Sequence, residues 1–545
     1  MAPEITDLRR QVAQLLVVRA SGHLADHQRR YPRWELANGS LRRLLAEGVG
    51  GVILLGGSAA ELGLRTRQLV EWAQAPLLLC ADVEEGVGQR FEGASWLVPP
   101  LALGRLHRHN PDTALALARR YGACTAREAR AVGLNWLLAP VCDVNNNPAN
   151  PVINVRAWGE DPATVAALAC AFLEGAQTEG VLTCAKHFPG HGDTSDDSHL
   201  ELPLLPHDRA RLEAMELPPF RAAITAGVAS VMTAHLLMPS LDVQRPATLS
   251  PAVLTGLLRE QLGFGGLIVT DALVMEAIAA HHGPGDAAVL ALEAGADLVL
   301  MPADAEAAIA AIVAAVQAGR LAWSRLEGSL ERRQAALAAV ATGRAEPNAR
   351  EPLPGLGNGP APQDQQLALE LVRRSLITSG GQLPIEAGAA GGINLLRVDN
   401  LLASGPILPA GAPALDRAAG RGWRPLLLDH RTTSPWGPDP QAPLDLERLG
   451  PGPVLLQLFI RGNPFRGTAG AQEPWGAVLR QLLAAGRLAG LVVYGSPYLW
   501  ESLAPLLPAE VAAGWSPGQM PLAQGELLAA LGWGSTDPTH GGFTD

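Results

Sequence analysis

Residues 1–302 alternate between short apolar runs of five to seven residues and longer alanine- and leucine-rich stretches with the period of a helix. Eight runs have strand character: QLLVV (14–18), GVILL (51–55), LLLCAD (77–82), NWLLAPV (135–141), LTCAKH (182–187), SVMTAH (230–235), GLIVTD (266–271) and DLVLM (297–301). Strand and helix alternating eight times predict an α/β fold of the (β/α)₈ (TIM) barrel type. The alternative is an open doubly wound sheet, weakened by the lack of a GxGxxG after an early strand. Helix punctuation agrees: Asp161-Pro162 opens one helix and Gly180 ends it, and Ser250-Pro251 and Gly263 bound another.

A helical stretch over 324–342 leads into a segment dense in Pro, Gly and Asn that reads as a linker over 344–363. Residues 1–343 are therefore expected to form the barrel domain. Residues 364–545 are expected to form a smaller C-terminal α/β domain with a mostly parallel sheet. It opens with an amphipathic helix (366–374), followed by the strands GINLLRV, PLLLD, PVLLQLFI and GLVVYGS.

Composition narrows the function. The chain has 545 residues, 48% hydrophobic and 17% charged, enough apolar material for two or three domains. Lys plus Arg number 42 against 53 Asp plus Glu, a net charge of -11 with no dense basic run, so nucleic acid and anionic membranes are poor partners. Five cysteines without a CxxC pair read as buried reduced thiols, and the acidic N-terminus with its short LLVV run does not read as a signal peptide. A cytoplasmic location is expected; oligomeric state is not legible.

In a parallel barrel the reacting groups sit at the carboxyl ends of the strands. Here those ends carry Asp82, Lys186-His187, His235 and Asp271. The densest segment, KHFPGHGDTSDDSH (186–199), packs three histidines and three aspartates into one loop. One reading is a zinc site made by His187, His191, Asp193 and His199, against which the first strand offers no His-x-His. Another pairs Asp197 with His199, two residues apart and able to share one side of an extended segment, making His199 a general acid and base. The bland reading makes Pro189, Gly190 and Gly192 mere turn formers. Asp271 is either the N-cap of a helix near Ala272 or a desolvated carboxylate suited to attack an acetal carbon.

KHFPGHGxxxxDSH resembles the signature of bacterial β-N-acetylglucosaminidases (β-N-acetylhexosaminidases) of glycoside hydrolase family three, the NagZ-like branch. Supporting segments follow in order: Asp82, Glu84 and Gln89-Arg90-Phe91, then APVCDV, RAWGEDP and GLIVTDALVMEAI. The resemblance covers roughly residues 10–340 and itself implies a barrel. It implies Asp271 as nucleophile, His199 as acid/base and Asp197 as its partner, with Asp82, Arg90, Arg156, Lys186 and His187 binding sugar hydroxyls. It also implies retaining, exo-acting release of terminal GlcNAc from muropeptide-derived substrates in cell-wall recycling, without metal or organic cofactor.

The sequence departs from the pattern where Glu85 replaces a glycine, Val87 an often basic residue, and Ala272 a frequent second aspartate, while Ala277 stands where some members have glycine. Two alternatives stay open: phosphorolysis, because a histidine repels an incoming anion less than a carboxylate does, and a sugar-binding protein without catalysis.

Overall fold

The computed structural model describes residues 4–341, 359–388, 391–399, 407–409, 411–429, 445–461 and 473–534. Each of the eight predicted runs contains a strand: β1 (Leu16–Ala20), β2 (Gly51–Leu54), β3 (Leu78–Ala81), β4 (Trp136–Leu137), β5 (Cys184–Phe188), β6 (Ser230–Thr233), β7 (Leu267–Val269) and β8 (Val299–Leu300). All pairings between them are parallel. One ladder runs β8-β1-β2-β3-β4 and another β5-β6-β7. The bridges Trp136↔Leu182 and Val269↔Leu298 join the two ladders into a closed ring, so the open-sheet alternative is not the fold adopted. Strands this short and apolar suit a ring whose interior is filled with side chains and whose exterior is covered by helices.

A helix follows every strand, from Asn38–Glu47 after β1 to Ala305–Gln317 after β8. The caps read from sequence are made. Asp161 accepts the Thr164 N–H at 2.9 Å ahead of the helix Pro162–Gln177, and Ser250 Oγ accepts the Val253 N–H ahead of Ala252–Gln261. Gly180 (φ 70°) and Gly263 (φ 68°) take the left-handed turns just beyond.

The predicted linker lies largely outside the described residues. Beyond it, the helix Pro362–Ser375 lays Leu367, Ala368, Leu371 and Val372 against the barrel's own apolar core. Glu370 on the same helix pairs with Arg120, and Asp364 with Arg127. The C-terminal sheet then runs β9 (Ile377–Ser379), β10 (Gly392–Asp399), β11 (Trp423–Leu428), β12 (Val454–Ile460), β13 (Leu488–Gly495) and β14 (Ala512–Ser516). Its order is β9-β14-β13-β12-β10-β11, parallel except for the β9 edge. Among the described residues, no helix is long and apolar enough to cross a membrane. All five cysteines are free, four of them buried.

Candidate active site

The carboxyl ends of the barrel strands open onto a cavity of about 210 Å³. Seven of the eight residues singled out from sequence line it: Asp82, Arg90, Arg156, Lys186, His187, His199 and Asp271. The eighth, Asp197, is buried behind His199.

One wall is an ion-pair lattice. Lys186 Nζ lies 2.7 Å from Asp82 Oδ1 and 2.6 Å from Glu84 Oε1, while Arg156 grips Glu84 with two parallel bonds of 2.8 Å. Burial disfavours the charges of Glu84, Lys186 and Arg156, yet the pairing wins. Glu84 is held well below the usual carboxylate range by Arg156 and Lys186, and Lys186 is raised by Asp82 and Glu84. Arg90 Nε donates to the Asp82 carbonyl at 3.1 Å. His187 is oriented by Asp143, whose Oδ2 meets Nδ1 at 2.7 Å and whose other oxygen accepts the His191 N–H at 2.7 Å.

The other side carries the groups suited to proton transfer and nucleophilic attack. Asp197 Oδ1 accepts both the backbone N–H of His199 (2.9 Å) and its Nδ1 proton (2.8 Å). This fixes the tautomer, with the proton of the neutral ring on Nδ1 and the lone pair on Nε2. The segment is a turn, closed by Leu200 N–H to Asp197 O at 2.9 Å, where the sequence suggested an extended loop segment. A carboxylate that bonds its own turn reaches the i+2 ring without an extended backbone.

The loop carrying this pair is braced from below. Asn150 Nδ2 donates to the carbonyls of His191 and Gly192, each at 2.9 Å, and His191 bridges Thr194 (2.8 Å) and Ser198 (2.9 Å). Burial lowers His191 to about 4, so its ring is neutral at pH 7. Gly192 is more than a turn former: a Cβ there would lie 1.8 Å from the Val144 carbonyl oxygen, so only glycine permits this approach.

Asp271 follows β7. Burial would raise its carboxyl, but His235, His187 and His199 around it and the Ala272 N–H (2.7 Å) outweigh this and hold it at about 2. It is not a helix N-cap, because the next helix begins at Glu276 and the Asp271 carboxylate takes the N–H of Ala272, the very next residue. His235 does not reach the cavity as a strand-end residue was expected to. It is fully buried, with Nε2 3.1 Å from the Ala272 carbonyl and Nδ1 2.8 Å from Thr248 Oγ1.

The four residues of the zinc reading do not converge. Asp193 turns to His207 (2.9 Å) and Arg211 (3.3 Å), and His187 Nδ1 is taken by Asp143. Among the described residues, the grouping with metal-ligand spacing is Cys124, Glu128 and Asp364, in which Glu128 accepts from Ser95 and Asp364 pairs with Arg127. Sequence reasoning gave no role to Glu84, Asp143 or Asn150. Each lies in a segment noted for its motif or beside one, but its partners are tens of residues away.

Two family models match the chain. The N-terminal domain of glycosyl hydrolase family 3 covers residues 7–335, and the bacterial C-terminal domain of the same family covers 386–531. A Beta-hexosaminidase A of Pseudoalteromonas piscicida is 38% identical over 244 residues, 42% of this chain and 40% of that protein's length. A Beta-hexosaminidase of Thiobacillus denitrificans is 37% identical over 271 residues, 49% of this chain and 75% of its own. A solved family 3 beta-N-acetylglucosaminidase from Paenibacillus superposes with a TM-score of 0.75 at 28% identity, covering 97% of both chains. A beta-glucoside phosphorylase superposes at 0.76 over 97% of this chain and 95% of its own, and at 20% identity it shares the fold alone. With both halves of the chain matched and the cavity formed where a barrel places its chemistry, the protein belongs to glycosyl hydrolase family 3.

Proposed function

We propose that this glycoside hydrolase is a retaining exo-β-N-acetylglucosaminidase that releases terminal β-linked GlcNAc, with muropeptide fragments in the cytoplasm as its substrates. The observation that carries the reading is the pairing in one cavity of a half-buried, ionised Asp271 with an imidazole whose tautomer is set by buried Asp197. Asp271 attacks the anomeric carbon as His199 Nε2 protonates the departing oxygen. His199 then takes a proton from water, which releases the sugar from Asp271 with its configuration retained. Asp82, Lys186, Arg156, His187 and Arg90 supply donors and acceptors for hydroxyls, and the ion-pair lattice presets their positions at no cost during turnover. The names of the relatives, both beta-hexosaminidases, support the N-acetylated sugar.

The test is hydrolysis of 4-nitrophenyl β-N-acetylglucosaminide beside the β-glucoside, each with and without phosphate. Free GlcNAc formed without phosphate is the expected result. A sugar 1-phosphate formed only with phosphate would make the protein a phosphorylase, and activity on the glucoside alone would overturn the sugar assignment. No turnover of either, with sugar still bound, would make it a binding protein.

A further inference from the structure

Glu85, the acidic residue where a glycine was expected, has a partner in the other domain. Its Oε1 pairs with Arg461 Nη2, and its Oε2 accepts the Trp96 indole N–H at 3.0 Å. Glu85 is 1% exposed at its side chain and Arg461 10%, and Glu85, Arg461 and Trp96 all line the cavity that holds Asp271 and His199. Arg461 directly follows the carboxyl end of β12, so the C-terminal sheet also directs a strand end at this cavity. The domain is anchored on the same side. Tyr498 accepts from Asn145 (2.7 Å) and donates to Glu160 (2.7 Å), and Arg105 pairs with Glu501.

The ring of strands fixes where this wall stands. Glu85 follows β3 and Asp271 follows β7, four strands apart in a ring of eight and therefore on opposite sides of the mouth. A sugar whose anomeric carbon meets Asp271 turns its other end toward β3. Consecutive residues there face two ways, Glu84 into the Lys186–Arg156 lattice and Glu85 toward Arg461. A guanidinium has five donors in a rigid fork, so a single bond to Glu85 both aims it and leaves it donors for a hydroxyl.

We propose that Arg461, fixed by Glu85, is the specificity-determining residue with which the C-terminal domain closes the far end of the cavity, so that the site takes a sugar only when its non-reducing end is unextended. This rests on the glycosidase reading above. It gives the second domain a direct part in substrate choice, and it gives the departure at Glu85 a reason: a glycine there would leave Arg461 buried without its counter-charge.

The experiment compares full-length wild type, Arg461→Ala and Arg461→Lys on the nitrophenyl β-glycosides of the cleaved sugar and of its 4-O-methyl derivative. Wild type should discriminate against the methylated sugar by about 100-fold or more in kcat/KM, and Arg461→Ala should shrink that ratio by about tenfold. The same variant should raise KM for the plain sugar about tenfold with kcat within roughly threefold, a split that general destabilisation does not produce. Arg461→Lys, which keeps the charge and loses the fork, should fall between them and covers the case in which the alanine variant does not fold. A wild type that accepts the methylated sugar as readily as the plain one overturns the proposal, as does an unchanged ratio in a folded variant. Should wild type cleave neither the N-acetylglucosaminide nor the glucoside, the glycosidase reading fails. Arg461 is then judged by calorimetry with free GlcNAc and 4-O-methyl-GlcNAc, where equal affinities in wild type and Arg461→Ala reject its role.

Discussion

The two sides of the cavity are built on different principles. On the hydroxyl-binding side, Lys186, Glu84 and Arg156 are 1%, 4% and 12% exposed at their side chains and locked by full charges. On the proposed reacting side, His199 is 19% exposed and bonded to the Asp197 carboxylate, while the residues around this pair are held by hydroxyls, amides and neutral rings. Charge fixes geometry strongly but leaves each member dependent on the others. Neutral hydrogen bonds hold more weakly and leave free the one quantity this side has to change, the position of a proton. The recognition side is thus expected to fail in stability when broken, and the reacting side in turnover.

The sharpest break is on the reacting side. Asp271→Asn should lower kcat by about 10⁴-fold or more in a chain that still folds cooperatively, as the lost carboxylate is the proposed nucleophile. His199→Ala should lose about 10²–10⁴-fold on substrates with poor leaving groups and clearly less on nitrophenyl glycosides, which need little protonation. Equal losses on both substrate types, measured side by side, would remove His199 from the acid role.

The complementary break is Glu84→Gln. It leaves Lys186 and Arg156 buried without their shared counter-charge, which should destabilise the fold by about 3–5 kcal/mol, read as a fall in the urea midpoint at constant slope. A variant as stable as wild type would show that water reaches this wall and that the lattice is not the rigid element described above.

A third break uses pH. His191 braces the loop of the reacting side while neutral, titrating near 4 in the fold and near 6.5 when unfolded. Between those values the unfolded chain binds the extra proton, so stability is fully present above 6.5 and is lost as pH falls toward 4, by roughly 3 kcal/mol. Asp271, held at about 2, keeps its own contribution above 3.8 and loses it only below, outside this window. Urea titrations from pH 7 to 4 should therefore show a shallower decline for His191→Asn than for wild type, and parallel declines would count against the assignment.

The comparison also explains what could be read from sequence. The barrel was legible because each strand is an apolar run bounded by turn residues, and the reacting loop because three histidines and three aspartates crowd one segment. Strands β9 and β14 were not seen. Ile377–Ser379 is exposed throughout, and Ala512–Ser516 is small at every position but Trp515, so neither alternates in hydrophobicity. The regular ladder of β4 spans only Trp136–Leu137, although the apolar run continues to Val141, because Pro140 offers no N–H and pairing resumes beyond it as a lone bridge between Val141 and Lys186. In the site, Asp82, Lys186 and Asp271 follow from strand ends alone. Asp143 beside His187 and Arg461 beside Glu85 are 44 and 376 residues from their partners, and no local pattern reports such a pairing.

The smallest expected effect tests how Asp271 itself is aimed. The Ala272 carbonyl can only accept, so His235 Nε2 carries a proton, and burial keeps the ring neutral, so Nδ1 accepts the Thr248 hydroxyl proton in competition with the Ala234 carbonyl 2.9 Å from the same oxygen. Thr248 in turn takes the Thr233 hydroxyl proton at 2.7 Å, and Thr233 Oγ1 accepts the Asp271 N–H at 3.3 Å. The chain of bonds thus leaves the backbone at the Asp271 N–H and returns to it at the Ala272 carbonyl, holding the peptides on either side of the proposed nucleophile. His235→Gln can keep the donor to Ala272 and His235→Asn the acceptor for Thr248, but neither keeps both. Each should lower kcat about tenfold with little change in KM, since substrate contacts are untouched while the attack angle loosens. A folded variant with unchanged kcat would mean that the single Ala272 N–H to Asp271 suffices, and that the reacting side is as rigid as the wall it faces.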